Sequence, residues 1–389
     1  MAERSISGAA AVVGIATTQL SRDSGRTEYS LACEAIKAAV DDAGIGFDEI
    51  DALVKDDTDG IDPMYVQKAV GIDNCTYASE SHWGTSAMVN AVTAIAAGVA
   101  KCAVYYRSVN GASLRRAGTD FKAAKETKDD SLDMIRYDFH APFGLSSPAG
   151  AVGMTVRRYL HDHGIGREDL GWVPVVCSEH AARNPEAVYF DAAMTIADYS
   201  GSAVEVDPMR KADCAPGVDG ALAVVITSAE RAADLAQTPA RILAATQGTA
   251  TNGGQFSNYS RAEIAALPEM RLMGDELFRV AGVGRADMDV AQIDDQFGPF
   301  VPMQLEELGV CGRGEGADFC AGGDRIRLGG DLPINTDGGA LGRGHIYGLS
   351  VVEAVRQIRG SSANQVKGAE LALVSSGAGG PADGLILAR

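Results

Sequence analysis

The chain lacks any long hydrophobic run. Its longest early apolar stretch covers only residues 9–16 and has no basic flank of the kind that precedes a signal-peptide core. No segment approaches the ~20 apolar residues that a membrane-spanning helix needs. The sequence therefore predicts a cytoplasmic protein that does not cross a membrane.

Positive charge is also scarce. The 389 residues include 34 Lys and Arg against 52 Asp and Glu, for a formal net charge of −18. Nucleic acids and anionic membranes both attract basic surfaces, so this balance argues against either as a partner. It leaves room for a local basic pocket that binds a phosphate group.

Closely spaced cysteines are missing as well. The seven cysteines are scattered, odd in number, and never form a Cys-x-x-Cys pair. Neither a zinc site nor a disulfide framework is indicated, and we expect no metal in this chain. Most of these thiols are expected to behave as small buried apolar residues.

One sequence phrase occurs twice. In the first copy a helix predicted over residues 30–43 ends at Gly44, and residues 45–51 lead into a strand. In the second copy a helix ends at Gly282, and residues 283–289 lead into a strand with the same glycine and aspartate spacing. The repeat indicates two halves of the same design.

A second repeat concerns two turns. Residues 81–84 (Ser-His-Trp-Gly) open a helix predicted over 85–98, and residues 345–348 (His-Ile-Tyr-Gly) open a helix predicted over 349–359. Both turns place a polar residue three positions before a glycine and an aromatic residue directly before it. Two related halves would bring these turns face to face around a pseudo-twofold axis.

The alternation of apolar runs and amphipathic helices predicts an α/β fold. We assign residues 1–240 to the first half, including a loop domain over about 110–212, and residues 241–389 to the second half. The region 217–228 is predicted to be the last strand of the first half. The loop domain holds a charged stretch at 115–130, which is most simply a solvated surface, followed by an aromatic segment at 139–144.

Four motifs give the chain a family resemblance. They are His-Ala and Asn-Pro within 180–185, Asp-Cys-Ala-Pro and Asp-Gly-Ala within 213–221, Asp-Gln-Phe at 295–297, and Asn-Thr-Asp-Gly-Gly followed by Gly-His within 335–345. On these the chain resembles the thiolase superfamily almost end to end, and most closely its sterol-carrier-protein and lipid-transfer type. The resemblance implies a thiolase-like five-layer αβαβα fold of two duplicated halves with a loop domain, assembled as a homodimer.

The departures from the thiolase pattern concern the reactive groups. Ser81 stands where a thiolase carries its nucleophilic cysteine, and Ser375 stands where it carries its acid/base cysteine. A serine hydroxyl is far harder to ionise than a thiol, whose pKa of about 8.5 is easily lowered. Loss of a nucleophile can reduce turnover on the order of a million-fold. Two such losses argue against thiolysis.

What remains can stabilise an enolate. His345, at a helix N-terminus with glycine N–H groups nearby, can donate to a thioester oxygen as negative charge develops. A retro-aldol cleavage needs such donors and a base for a β-hydroxyl proton, but no acyl-enzyme. Tyr347 and Asp294 are the candidate bases, and Asp295 is a further candidate for orienting a water or the tyrosine. A tyrosine, with an ordinary pKa near 10, needs neighbouring positive charge for this role.

Six further residues are candidates for substrate binding. The two serines are small enough to leave room for substrate, and the glycines permit close backbone approach. They are Ser81, His82, Gly338, Gly339, Ser375 and Gly377.

The resemblance is closest to a cysteine-lacking branch of lipid-transfer-type aldolases that cleave β-hydroxyacyl-CoA side chains in bacterial steroid degradation. It implies a retro-aldolase that takes a CoA thioester as substrate, needs no other cofactor, and forms a heterotetramer with a small partner carrying a zinc ribbon and an OB-fold. A second tyrosine that this branch would place near Asp294 is absent. Two alternatives remain: an acetyltransferase-like enzyme using Ser81 with His345 or His82, and a non-catalytic carrier of lipid or acyl-CoA.

Overall fold

The computed structural model describes residues 6–82, 84–113, 140–145, 147–251, 261–377 and 380–389. The charged stretch at 115–130, Phe139, Trp83, and the glycine-rich turn at 378–379 lie outside these ranges. The described strands are β1 (Ala10–Thr17), β2 (Ala52–Asp56), β3 (Tyr77–Ser81), β4 (Cys102–Asn110), β5 (Val204–Val206), β6 (Met209–Arg210), β7 (Asp219–Ser228), β8 (Ala240–Gly248), β9 (Val290–Ile293), β10 (Leu371–Ser376) and β11 (Ala382–Ala388).

The described α-helices connect these strands. They are α1 (Glu28–Ala43), α2 (Pro63–Val70), α3 (Ser86–Ala97), α4 (Pro148–His163), α5 (Trp172–Ala181), α6 (Ile196–Gly201), α7 (Ala229–Ala232), α8 (Pro268–Ala281), α9 (Phe300–Glu307), α10 (Gly316–Cys320), α11 (Gly339–Gly342) and α12 (Leu349–Arg359). Within the described ranges, no helix combines the length and the apolar character needed to cross a membrane.

The main sheet contains the same arrangement twice. Its strand order is β3-β2-β4-β7-β1-β8-β11-β10-β9. In the first half, β2 lies parallel to β3 and β4, and β7 lies antiparallel to β4 and β1. In the second half, β9 lies parallel to β10 and forms a parallel bridge at Ile334, and β11 lies antiparallel to β10 and β8. The predicted duplication is confirmed.

The repeated phrase also makes the same hydrogen bonds in both copies. The Asp51 carboxylate accepts from the N–H groups of Lys101 and Cys102, where β4 begins. The Asp289 carboxylate accepts from the N–H groups of Glu370 and Leu371, where β10 begins. The aspartates therefore recur because each fixes the start of the neighbouring parallel strand.

Among the described residues, three apolar cores fill the spaces between the helices and the sheet. A central core packs α3 and α12 against strands of both halves. One outer core packs α1 against the opposite face of the first-half strands, and the other packs α8 and parts of the loop domain against the second-half strands. The layers are therefore α1, the first-half strands, the central helices α3 and α12, the second-half strands, and α8 with parts of the loop domain. This order confirms the five-layer thiolase-like fold.

The two halves join along a short seam. Strand β1 pairs antiparallel with β8 over three residue pairs, Ala10 to Val12 against Ala240 to Ile242. On its other side, β1 pairs with β7 of the first half, and β8 pairs with β11 of the second half. The seam makes one continuous sheet of the two copies.

Helix α1 shows how local sequence sets these elements. Thr27 accepts a hydrogen bond from the Ser30 N–H, which starts the helix two residues earlier than predicted. The predicted stripe, including Leu31, Ile36 and Val40, is buried, and Gly44 ends the helix in the left-handed conformation. Helix α12 spans the predicted residues.

Candidate active site

A cleft opens where the carboxyl ends of the parallel strands β9 and β10 meet. Its lining comes from residues 292–295, from the loop between 335 and 340, from the turn 344–350, and from Ser375 and Ser376. Parallel strands bring their carboxyl ends to one sheet edge, so segments distant in sequence converge here. His345, Tyr347, Asp294, Asp295, Gly339 and Ser375 are thereby brought together.

The turn before α12 carries the two aromatic side chains of the cleft. The His345 and Tyr347 rings meet edge to face, with centroids 4.6 Å apart and an interplanar angle of 80°. The Tyr347 hydroxyl donates to Oε1 of Gln296 at 2.9 Å. Gly344 (φ 118°) and Gly348 (φ 93°) permit the turn, and a Cβ on Gly348 would lie 2.8 Å from the Tyr105 ring.

Tyr347 retains its proton in this environment. Burial raises the pKa of its hydroxyl well above the ordinary value, and the Asp294 and Asp56 carboxylates act in the same direction. The Arg107 guanidinium opposes this effect more weakly. Tyr347 is therefore a neutral hydroxyl in the unliganded cleft, and its role as a base stays a prediction.

Asp294 presents a carboxylate that the backbone holds in place. Its Oδ1 accepts from the Gln296 N–H at 3.0 Å, and its Oδ2 accepts from the Gly377 N–H at 3.1 Å. Gly377 has a φ of 92°, in the left-handed region. Gly377 thus fixes Asp294 through its backbone, and its contact with substrate stays a prediction.

Asp295, at the edge of the cleft, supports a loop. Its carboxylate accepts from the N–H groups of Ala340 and Leu341, at 2.7 and 3.2 Å, and so caps α11. Burial raises the pKa of Asp295 to about 7. These contacts favour a positioning role over the predicted catalytic one.

Gly338 and Gly339 lie against their neighbours without room for a side chain. Gly339 has a φ of 61°, and a Cβ there would lie 2.2 Å from Oδ2 of Asp295. Gly338 has a φ of 108°, and a Cβ there would lie 2.6 Å from the Ala181 Cβ. The expected close backbone approach is confirmed at both positions.

Ser375 is tied to a glutamine that sequence reasoning did not single out. Its hydroxyl donates to Oε1 of Gln304 at 3.0 Å, and the Gln304 Nε2 donates to the Asp294 carbonyl at 2.6 Å. Ser375 is fully buried. Its hydroxyl is held as a hydrogen-bond donor to an amide, whereas a nucleophilic serine requires an adjacent base.

Ser81 and His82 lie outside the lining of the cleft. Ser81 ends the edge strand β3, in register with Asp56. His82 is 67% exposed, and its Nδ1 lies 2.9 Å from Oδ2 of Asp57. Because β3 borders the sheet and the His82 ring turns towards Asp57, the structure does not join these two predicted site residues to His345.

The two related turns nevertheless meet, as predicted. The hydroxyl of Tyr105, on β4, lies 3.4 Å from the carbonyl oxygens of both Gly84 and Tyr347. Tyr105 therefore links the first-half turn to the second-half turn. Sequence patterns could not single out Tyr105 for this link, because it lies within an apolar run of β4.

A buried polar scaffold supports the loop at 335–337. The His180 Nδ1 lies 3.1 Å from the Asn335 carbonyl, and the Asn184 side chain donates to the Asp337 carbonyl at 2.9 Å. The Asn364 amide donates to the carbonyls of His180 and Thr336. The loop-domain motif thus holds the glycine-rich loop of the second half.

None of the described residues that line the cleft is a cysteine. The thiol of Cys177 does contact a cleft residue, because its Sγ lies 3.5 Å from Oδ2 of Asp295. Burial and the Asp295 charge raise the pKa of this thiol well above its usual value. Cys177 is thus a buried neutral thiol, and no described sulfur takes the place of the missing nucleophiles. Among the described residues, no cluster of His, Cys, Asp and Glu is arranged to hold a metal ion.

This fold and this cleft define a protein of the thiolase superfamily. A family model described as thiolase C-terminal domain-like matches residues 248–386. The structure of human mitochondrial 3-ketoacyl-CoA thiolase superposes with a TM-score of 0.68, covers 99% of both chains, and is 18% identical, which shows the fold alone.

Closer relatives define the branch. A Mycobacterium tuberculosis protein named 17-hydroxy-3-oxo-4-pregnene-20-carboxyl-CoA lyase is 42% identical over 98% of this chain and 100% of its own. A Thermomonospora curvata protein named steroid side-chain-cleaving aldolase is 41% identical over 98% of each chain. A solved structure described as the Ltp2-ChsH2(DUF35) aldolase superposes with a TM-score of 0.92 at 39% identity, over 99% of this chain and 98% of its own. The chain belongs to this family of thiolase-fold carbon–carbon lyases.

Proposed function

We propose that the protein cleaves a β-hydroxyacyl-CoA by a retro-aldol reaction. The observation that carries this proposal is the composition of the cleft. It combines the His345–Tyr347 turn and the Asp294 carboxylate with a serine at Ser375, and none of its described residues is a cysteine. Such a site can stabilise an enolate but has no thiolate to take up an acyl group.

His345 is assigned to the thioester oxygen. As the bond between the α and β carbons breaks, its electron pair moves into the thioester and places negative charge on that oxygen. A donor already aimed at this position stabilises the charge without reorganisation. The CoA thioester supplies the electron sink, so the proposed reaction uses no further cofactor.

Asp294 is assigned to the proton of the β-hydroxyl group. Its carboxylate is fixed by the N–H groups of Gln296 and Gly377, and the Tyr347 hydroxyl is anchored nearby on the Gln296 side chain. Asp294 takes the proton either directly or through Tyr347, which passes its own proton on as it receives one. The neutral state of Tyr347 suits this relay, because a relay needs a hydroxyl that can both donate and accept.

The substrate class follows from the relatives' names. We infer a CoA thioester on the side chain of a hydroxylated steroid, as in the name of the M. tuberculosis relative. The name of the Ltp2-ChsH2(DUF35) aldolase supports a DUF35 partner protein. We propose that this partner is a small zinc-ribbon and OB-fold subunit, that two copies of each chain form a cytoplasmic heterotetramer, and that the homodimer of this chain is its centre.

The alternative functions receive less support. An acyltransferase would need Ser81 near His345, and Ser81 lies outside the cleft lining. A carrier subunit would need only the cavity. Only a measurement of turnover can therefore distinguish a carrier from an enzyme.

The test incubates the purified protein, with its DUF35 partner, with a β-hydroxyacyl-CoA of a steroid. Mass spectrometry then follows the ketosteroid and the shortened acyl-CoA. The lyase yields both products in equal amounts, with no mass added to the intact protein. Acylation of the protein would support the acyltransferase, and binding without product formation would support the carrier.

A further inference from the structure

One short segment of backbone, residues 213–217, binds two walls of the cleft. On one side, the Ala215 N–H donates to the carbonyl of Gln296 at 3.0 Å. On the other side, Gly217 forms a parallel bridge with His345. The wall that ends strand β9 and the wall that opens helix α12 are therefore attached to the same piece of backbone.

The side chain of Gln296 joins these two walls directly. Its Oε1 accepts a hydrogen bond from the Tyr347 hydroxyl at 2.9 Å, and its backbone N–H donates to Oδ1 of Asp294 at 3.0 Å. One residue thus bonds to both groups that are assigned to the β-hydroxyl proton. Together with residues 213–217, the bond to Tyr347 closes a ring of contacts between the two walls.

The backbone at Gln296 is fixed on both sides. Its N–H is engaged by the Asp294 carboxylate and its carbonyl by the Ala215 N–H. The next residue, Phe297, is buried and forms an antiparallel bridge with Cys214. A side chain carried on such a backbone can hold its partner in one place, which is what a group supporting a reacting residue must do.

The hydrogen bond also sets the direction of the Tyr347 hydroxyl. A phenol has a single hydrogen, and here it is donated to an amide oxygen. Burial holds the pKa of Tyr347 well above its ordinary value, so this hydrogen is present to be donated. Towards a substrate hydroxyl, the phenol oxygen can therefore act only as an acceptor, which is the direction that removal of a proton from that hydroxyl requires.

We propose that Gln296 is a positioning residue for the proton transfer, which holds the Tyr347 hydroxyl beside Asp294 as an acceptor for the β-hydroxyl group of the substrate. The assignment rests on the proposed retro-aldol function. Gln296 is not among the described residues that line the cleft, so it acts through Tyr347 and does not meet the reacting atoms itself.

A packing role alone would not require an amide at this position. Methionine has nearly the same length and volume as glutamine but offers no amide oxygen, so packing predicts no loss in Gln296→Met. Asparagine keeps the amide but is one methylene shorter, so its oxygen would be withdrawn from Tyr347. The two variants test the acceptor and its reach separately.

The experiment measures kcat and KM for cleavage of a steroid β-hydroxyacyl-CoA by the complex with the DUF35 partner. It compares wild type with Gln296→Met, Gln296→Asn and Tyr347→Phe. Gln67→Met, which changes a half-buried glutamine on α2, is the matched control and should keep the wild-type kcat. We expect kcat to fall about 10–100-fold in both Gln296 variants, as for a misplaced reacting group, with KM within about twofold of wild type.

A double variant separates positioning from a general structural effect. If Gln296 acts through the Tyr347 hydroxyl, replacing it should have no further effect once that hydroxyl is gone. We therefore expect kcat of Gln296→Met combined with Tyr347→Phe to lie within about twofold of that of Tyr347→Phe alone. Losses that multiply in the double variant would show that Gln296 acts elsewhere, and would overturn the assignment.

The outcomes distinguish this assignment from the function on which it rests. Wild-type kcat in both Gln296→Met and Gln296→Asn, in a complex that cleaves its substrate, overturns the assignment and leaves the lyase standing. Wild-type kcat in Tyr347→Phe does the same. A wild-type complex that releases no ketosteroid overturns both. If Gln296→Met does not fold, Gln296→Asn, alone and combined with Tyr347→Phe, decides the question.

Discussion

The rings of His345 and Tyr347 stand edge to face on one turn, with their centroids 4.6 Å apart. The two residues are separated by Ile346, whose side chain is buried in the central core. This places an imidazole and a phenol on the same wall of the cleft. One short turn thus presents a donor for the thioester oxygen and a hydroxyl for proton transfer.

Tyr347→Phe removes the hydroxyl that donates to Gln296 and keeps the ring that packs on His345. We expect turnover to fall by about 10²–10⁴-fold, the usual contribution of a positioned proton-transfer group, with little change in substrate affinity. Steady-state kinetics of product release measures both. Tyr29→Phe, which loses a surface hydrogen bond to Tyr65, serves as the control and should retain full activity. Wild-type turnover in Tyr347→Phe would remove this hydroxyl from the mechanism.

His345→Ala removes the proposed donor to the thioester oxygen. Loss of one such donor costs about 10²–10³-fold in turnover. Rates should fall for every acyl chain alike, because the thioester is common to all of them. A loss confined to binding, seen as a higher KM at an unchanged kcat, would contradict the assignment.

Gly339→Ala tests the close approach to Asp295. A Cβ there would lie 2.2 Å from the carboxylate, and the backbone is left-handed. Gly329→Ala is the matched control, because its φ is 84° but nothing lies within 4 Å of the added Cβ. The control should lose only about 1 kcal/mol of unfolding free energy, and Gly339→Ala should lose more and also lose activity. Equal losses in urea titrations would show that the contact with Asp295 is unimportant.

Arg343→Met tests a buried charge pair. Arg343 is fully buried and donates to Asp337 at 2.7 Å, and to the exposed Glu186 at 2.9 Å. Removing the guanidinium leaves Asp337 as an unpaired buried carboxylate, which costs about 3–5 kcal/mol. Arg325→Met breaks the exposed pair with Asp331 and should cost less than about 1 kcal/mol. Chemical denaturation measures both, and similar values would contradict the expectation.

Glu353→Gln should change how stability depends on pH. Burial and the Asp337 charge raise the pKa of Glu353 from 4.5 to about 7. In the unfolded chain this group ionises near its ordinary pKa, so its contribution is present below pH 4.5 and is lost as the pH rises through 7. The glutamine keeps the acceptor for Thr336, Gln357 and Ser362, which all bond to Oε1.

The variant should therefore gain stability relative to wild type as the pH rises from 5 to 8, by up to about 3 kcal/mol. Thermal unfolding of both proteins across this range measures the difference. Parallel stability curves would show that Glu353 does not ionise in this range.

The duplicated fold could be read from the sequence because its signals are local. Gly44 and Gly282 end helices in the left-handed conformation, and Asp51 and Asp289 hold the following strands. Such glycines and aspartates can be recognised in a sequence from their spacing alone. The turn at 345–348 could be found in the same way, because Gly348 adopts a positive φ that favours glycine.

The roles within the site were harder to predict. Asp294 and Asp295 are adjacent, and sequence does not say which carboxylate faces the cleft and which caps α11. Ser81 matches a nucleophile position, but its place beside Asp56 depends on the tertiary fold.

The seam between β1 and β8 makes each half a poor module by itself. If the chain were divided near residue 235, both pieces would present an unpaired strand edge, and most of the side chains along it are buried in the whole protein, including Ala10 to Val13, Ala240 and Ile242. Open edges of this kind template aggregation. Separately expressed halves should therefore precipitate, whereas the two halves produced together should remain in solution.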